Sequence, residues 1–204
     1  MAEAITAQVR KLAAIGYGEA SIDNNPQEVR GIAFTVANRM RAWGAADVDS
    51  LLSKAGKGYV VATRGNNVRY NKLMAASEVA INADPDMRSA VTSARDALAN
   101  RGNDPSNGAY WWDGVDLKET SNPRHSSGFH YGSASHNIFG ITEVKLAERI
   151  TYWTQLNKKT NQLVNTRERG RYSYKYLSTA AIGRTIFWTA DPDYIKATGA
   201  KDYK

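Results

Sequence analysis

Glu19 sits in the stretch GYGEASIDNNPQEVRGIAFTVANRM, flanked by Gly18 and Ala20, at the end of one predicted helix and ahead of the next. A carboxyl group set on apolar surface at a helix end loses hydration, and its pKa rises. It then stays protonated near neutrality, as a general acid must. One such acid can protonate the bridging oxygen of a glycosidic bond. The competing reading is a surface glutamate at a helix C-terminus, where the dipole disfavours it only mildly. A second feature has to decide between them.

The segment from Gly102 to Ile141 supplies one, being rich in Gly, Ser, Asn and aromatic residues without helical period. A long irregular segment within a domain usually carries function. Within it, Tyr110, Trp111 and Trp112, with Phe129 and Tyr131, offer ring faces on which sugars stack. Asn103, Ser106 and Asn107 offer amide and hydroxyl partners. Adjacent residues of an extended chain face opposite ways, so of two neighbouring tryptophans one is expected in the core and one in a cleft.

The elements that must position these residues follow from periodicity. Ile5, Val9, Leu12 and Ile15 mark residues 3–16 as an amphipathic helix stopped by Gly16 and Gly18. Asn25 as cap, Pro26 at the first turn and Glu28 three after the cap predict a core helix running to about Gly44. A short helix is expected over 47–54, a β-hairpin over Gly58 to Tyr70, and helices over 71–82 and from Asp84-Pro85 to about Gly102. Helix is expected again over 142–159, 174–182 and 192–197. The expected class is therefore mainly α with a small β element, in one domain spanning residues 1–204.

Composition narrows the setting. With 204 residues, 42% apolar and 23% charged, the chain can bury a substantial core. It has no cysteine, so disulfides and thiolate metal sites are excluded. The first twenty residues lack the apolar run of a secretory signal, and no stretch is long enough to span a membrane. Twelve Lys/Arg against six Asp/Glu from Glu143 to Lys204 give +6 of the total +7, so the basic character is C-terminal and suits an anionic partner.

Four segments in one order carry a resemblance. YGEA (17–20), GIAFTVANRM (31–40), the Asp84-Pro85 helix through ARDALAN (94–100), and DPSNGAYWWD (104–113) together resemble the SleB-type cell-wall hydrolases of spore cortex, phages and antibacterial toxin domains. The resemblance covers residues 5–140, about two thirds of the chain. It implies a lysozyme-like helical fold that cuts peptidoglycan between N-acetylmuramic acid and N-acetylglucosamine without a cofactor, as a muramidase or a lytic transglycosylase. The acid/base role falls on Glu19. After YGEA the family reads RGEP where this chain has SIDNNPQE, leaving the second carboxylate unassigned. Glu28 reads as a capping residue, so Asp23 is the first choice and Asp113 the second. Tyr17, Tyr59, Tyr70, Asn107, Tyr110, Trp111, Trp112 and His130 are the candidate substrate-binding residues.

Two rivals stand beside this reading. His125, His130 and His136, with Asp113 and Asp116, would suit a zinc amidase or peptidase, although spacings of five and six match no zinc motif. RERGRYSYKY (167–176) interleaves Arg/Lys with Tyr as a nucleic-acid-binding segment would, but no DNA-binding helix accompanies it, and none is expected as partner. The expected partners are glycan strands, with a cognate immunity protein or a carrier for a toxin domain. The site of action is the target cell envelope, reached by a secretion machine, a holin or fusion to a carrier.

Overall fold

A computed structural model describes residues 4–56 and 59–203. Its first half is helical: α1 (Ala7–Glu19), α2 (Pro26–Ala42), α3 (Val48–Ala55), α4 (Val68–Ala75), α5 (Glu78–Ala83) and α6 (Pro85–Leu98). The caps are those the residue types dictate. The side chain of Asn25 accepts from Gln27 N–H at 3.0 Å, Asp47 from Ser50 N–H at 2.7 Å, and Asp84 from Asp86 and Met87 N–H at 3.0 and 3.1 Å. Ser77 starts α5 in the same way, dividing the expected helix over 71–82 into two.

Helices α1, α2 and α6 bury their apolar stripes against one another, with Leu12, Ile15, Ile32, Val36 and Ala94 at 0% exposure. Neither Gly16 nor Gly18 ends α1, which runs on to Glu19. A Cβ at Gly16 would lie 3.0 Å from the carbonyl oxygen of Val29. These glycines let neighbouring segments approach and do not stop the helix.

The second half overturns the mainly α, lysozyme-like helical expectation. Beyond α6 come β1 (Trp111–Asp113), α7 (Pro123–Ser127), β2 (Phe129–Tyr131), β3 (Arg149–Asn157), β4 (Gln162–Tyr172), β5 (Tyr176–Ile182), β6 (Thr185–Ala190) and α8 (Pro192–Thr198). Among the described residues β1, β6, β5 and β2 form a mixed sheet in that order, with only β2 and β5 parallel, and β3 pairs β4 in a separate antiparallel ribbon. The fold is α+β.

The two helices expected over 142–159 and 174–182 are strands for identifiable reasons. Ile150 to Thr154 is an unbroken β-branched and aromatic run, which suits a pleated surface. In β5, Tyr176, Ser178 and Ala180 are buried and their neighbours are not, a period of two. The expected hairpin over 58–70 is likewise absent from residue 59 onward, Gly58 lying outside the described residues. A 3-10 turn at Ala62–Arg64 leads into α4, whose cap Asn67 accepts from Tyr70 N–H at 2.8 Å.

Strand β6 joins the two cores. Phe187 packs toward α2, where a Cβ on Gly31 would lie 2.6 Å from its ring. Ile186, Trp188 and Ala190 face the other way, onto Trp111, Leu117, Phe129 and Tyr176. The ribbon β3–β4 is exposed along most of its length and is anchored at its base on α8, where Gly170 meets Ala197 and Thr151 Oγ1 donates to the Ala197 carbonyl.

Candidate active site

A cleft of about 830 Å³ opens between the end of α1, the 59–62 segment, β1 with the turn after it, and the β5–β6 turn. Glu19 lines it, half-buried at the last position of α1. One carboxylate oxygen accepts from the Ala62 N–H, the other from Trp112 Nε1 at 3.4 Å. Burial raises the Glu19 pKa above its ordinary value, against the lowering effect of the N–H groups of Ala62, Trp112 and Val61, while the Asp116 charge adds to the rise. The negative end of α1 acts in the same direction. The outcome is an acid held toward its protonated form and facing an open cleft.

Gly18 makes this arrangement possible. A Cβ there would sit 2.9 Å from Tyr70 Cβ, 3.0 Å from Asn67 Oδ1 and 3.1 Å from Ala62 Cβ. The space beside Gly18 is filled by protein, and its vacancy lets the 62–70 segment lie on α1 and bring the Ala62 N–H to Glu19. Asn67 Nδ2 closes the contact by donating to the Gly18 carbonyl at 2.9 Å.

The tryptophan pair divides as alternation requires. Trp112 faces the cleft with Tyr59 edge-on at 5.3 Å, whereas Trp111 is 9% exposed, edge-on to Tyr176 at 5.3 Å in the second core. Tyr59 donates its hydroxyl to the Tyr110 carbonyl at 3.2 Å and lies under the Arg39 guanidinium at 4.2 Å; burial pushes its phenol pKa up. The cleft lining is mixed, its carboxylates and hydroxyls interspersed with Ile22, Val61, Val115 and Ile138, which are exposed large hydrophobics.

Five of the predicted residues lie elsewhere. Tyr17 is buried beneath Arg69 at 4.2 Å, Tyr70 is half-buried against the helical core, and Tyr110 donates to Asp202 at 3.1 Å. Asn107 donates to the Thr179 carbonyl at 3.0 Å, and His130 bonds Asp191 at 2.7 Å while stacking on Tyr174 at 4.5 Å. None of these five lines the cleft. Asp113 does, but its oxygens are held by Arg124 at 2.6 Å and Asn122 at 3.1 Å. Asp23 is half-exposed and pairs with Arg184 at 3.0 Å on the rim.

The histidines diverge. His125 bonds the Leu117 carbonyl and His136 the Ser178 hydroxyl, at 2.7 and 2.8 Å, far in role from the His130–Asp191 pair. Among the described residues no three His, Asp or Glu side chains converge as metal ligands would. The basic run 167–176 lies along β4 and the entry to β5, with Arg171 tied to Glu168 and Glu148.

Sequence reasoning missed Glu28, Ser21, Thr185 and Asp116 as cleft residues. Glu28 matches a capping box, but it is 0% exposed and bonded to Ser21, Arg184 and Thr185. Its partner at residue 185 lies too far along the chain for a local pattern to reveal.

Comparison with known proteins finds no matching family model, no matching curated protein and no matching solved structure.

Proposed function

We propose that the protein is a peptidoglycan-degrading enzyme that breaks the β-1,4 bond between N-acetylmuramic acid and N-acetylglucosamine, with Glu19 as general acid. The observation that carries this reading is the half-buried Glu19 carboxyl, its pKa raised, in an open cleft that Trp112 also lines. A sugar ring needs that combination: an apolar face to stack on and a protonated acid at the bridging oxygen. The resemblance of the YGEA and DPSNGAYWWD segments to SleB-type hydrolases supports it, because the fold brings their Glu19 and Trp112 into contact.

In this reading the protein acts in a target cell envelope as a toxin domain or phage lysin. Among the described residues no helix is long and apolar enough to cross a membrane. The ribbon β3–β4 carries Arg149, Lys158, Lys159, Arg167, Arg169 and Arg171 against Glu168, and would hold the enzyme on anionic wall polymer.

Mass spectrometry of soluble fragments released from purified peptidoglycan tests the proposal. Disaccharide peptides from the native protein and none from Glu19→Gln are expected, with a loss of about 10²- to 10⁴-fold. Cleaved stem peptides on intact glycan, or equal release by both proteins, would refute it.

A further inference from the structure

Among the described residues Glu28 is the one fully buried carboxylate on the cleft wall, and its donors there are all neutral. Ser21 Oγ donates to Oε2 at 2.6 Å, Thr185 Oγ1 to Oε1 at 2.7 Å, and Arg184 N–H to Oε1 at 3.2 Å. The Arg184 guanidinium turns to Asp23 instead, at 3.0 Å. A buried carboxylate held only by neutral groups is costly, and a structural link between α2 and the β5–β6 turn needs no charge. Gly183 is shaped around it: φ is +60° there, and a Cβ would stand 2.4 Å from Glu28 Oε2.

The two hydroxyls have a chemical property in common. Each has a single proton, and each commits it to Glu28, so toward the cleft both oxygens are acceptors only. Ser21 and Thr185 line the same cleft as Glu19, and Ser21 is two residues along the chain from it. They hang from the two oxygens of one carboxylate, so a water that reached both would donate one proton to each. A water held in this way has partners for its hydrogens and a lone pair left free.

Resting on the glycosidase reading above, we infer that Glu28 is the second carboxylate of the site, a positioning residue that acts through Ser21 and Thr185 to hold and activate the attacking water. The Glu19 proton passes to the bridging oxygen as the bond from that oxygen to the anomeric carbon breaks. The water oxygen bonds to the anomeric carbon, one water proton passes to Thr185 Oγ1, and the Thr185 proton passes to Glu28 Oε1. The products are two sugar hydroxyls, an ionised Glu19 and a protonated Glu28, which exchange a proton through solvent before the next cycle. The enzyme is then a hydrolase, giving reducing muramic acid ends and not anhydro ends.

Digestion of purified peptidoglycan in ¹⁸O-water, read by mass spectrometry, tests this with the native protein, Thr185→Val, Thr185→Ser and Glu28→Gln. The expected result is ¹⁸O-labelled reducing ends from the native protein, a fall in kcat of about tenfold or more with KM little changed in Thr185→Val and Glu28→Gln, and near-native rate in Thr185→Ser. The residual product of the two impaired variants shifts toward anhydro ends, which a merely structural role would not cause. Thr185→Val is isosteric, so it carries the test if Glu28→Gln fails to fold. Anhydro ends alone from the native protein, or native rate and product ratio in Thr185→Val, would overturn the role of Glu28 while leaving the glycosidase reading standing. No glycan fragments from the native protein would overturn both.

Discussion

Trp112 Nε1 stands 3.4 Å from Glu19 Oε2, linking the first strand of the sheet to the last residue of α1. This contact lowers the Glu19 pKa and the charge of Asp116 raises it, so the two residues pull the acid in opposite directions. Removing the indole N–H while keeping a ring, as in Trp112→Phe, moves the alkaline limb of the pH–rate profile to higher pH. Asp116→Asn moves the same limb down. Profiles of kcat/KM against pH for the two variants check the signs, and a common direction would exclude Glu19 as the titrating acid.

The same raised pKa predicts how stability varies with pH. Glu19 holds its proton more tightly folded than unfolded, where its ordinary value is 4.5. Its contribution to stability is therefore complete below that value and is lost as pH rises through the folded value. Glu19→Gln, which cannot ionise, escapes the loss. Chemical denaturation at pH 4 and pH 8 should show the variant gaining on the native protein at the higher pH, while lytic activity is abolished at both.

The two aspartates favoured by sequence as second carboxylates separate by burial. Asp113 and Arg124 are 12% and 9% exposed, and removing one partner of so buried a pair costs about 3–5 kcal/mol. Asp23 and Arg184 are 53% and 65% exposed, where a pair is worth about 0–1 kcal/mol. Asp113→Asn should therefore lower the melting temperature markedly, and Asp23→Asn should change neither stability nor lysis by much. Loss of lysis in a well-folded Asp23→Asn would restore it as a catalytic candidate.

Sequence made the helical half legible because its signals are local. Asn25-Pro26, Asp47 and Asp84-Pro85 cap helices within four residues of themselves, and the apolar stripe of α2 repeats within one helix. Strands β5 and β6 were illegible because what decides them is pairing, Leu177 with Thr189 and Ser178 with Trp188, and a short run such as YLSTAAI satisfies helix and strand patterns alike. The site divides on the same line. Glu19 and Trp112 stand out from their own neighbours, whereas the role of Glu28 depends on Thr185, 157 positions away.

Gly18 offers a test of how the site is assembled, with Gly31 as its control. An added methyl at Gly31 meets the Phe187 ring at 2.6 Å, between α2 and the sheet and away from Glu19. Overpacking of this kind costs about 1–3 kcal/mol, offset in part by the better helix propensity of alanine, about 1 kcal/mol. At Gly18 the methyl meets Tyr70, Asn67 and Ala62 together, and relief of the clash moves the 62–70 segment off α1. The Ala62 N–H then leaves Glu19, and because that donor lowers the pKa, its loss drives the acid further up. Both Gly→Ala variants should melt earlier than the native protein, but only Gly18→Ala should shift the alkaline limb of the pH–rate profile upward and lose lytic rate at constant folded fraction. An unshifted profile in a folded Gly18→Ala would show that Ala62 does not tune the acid.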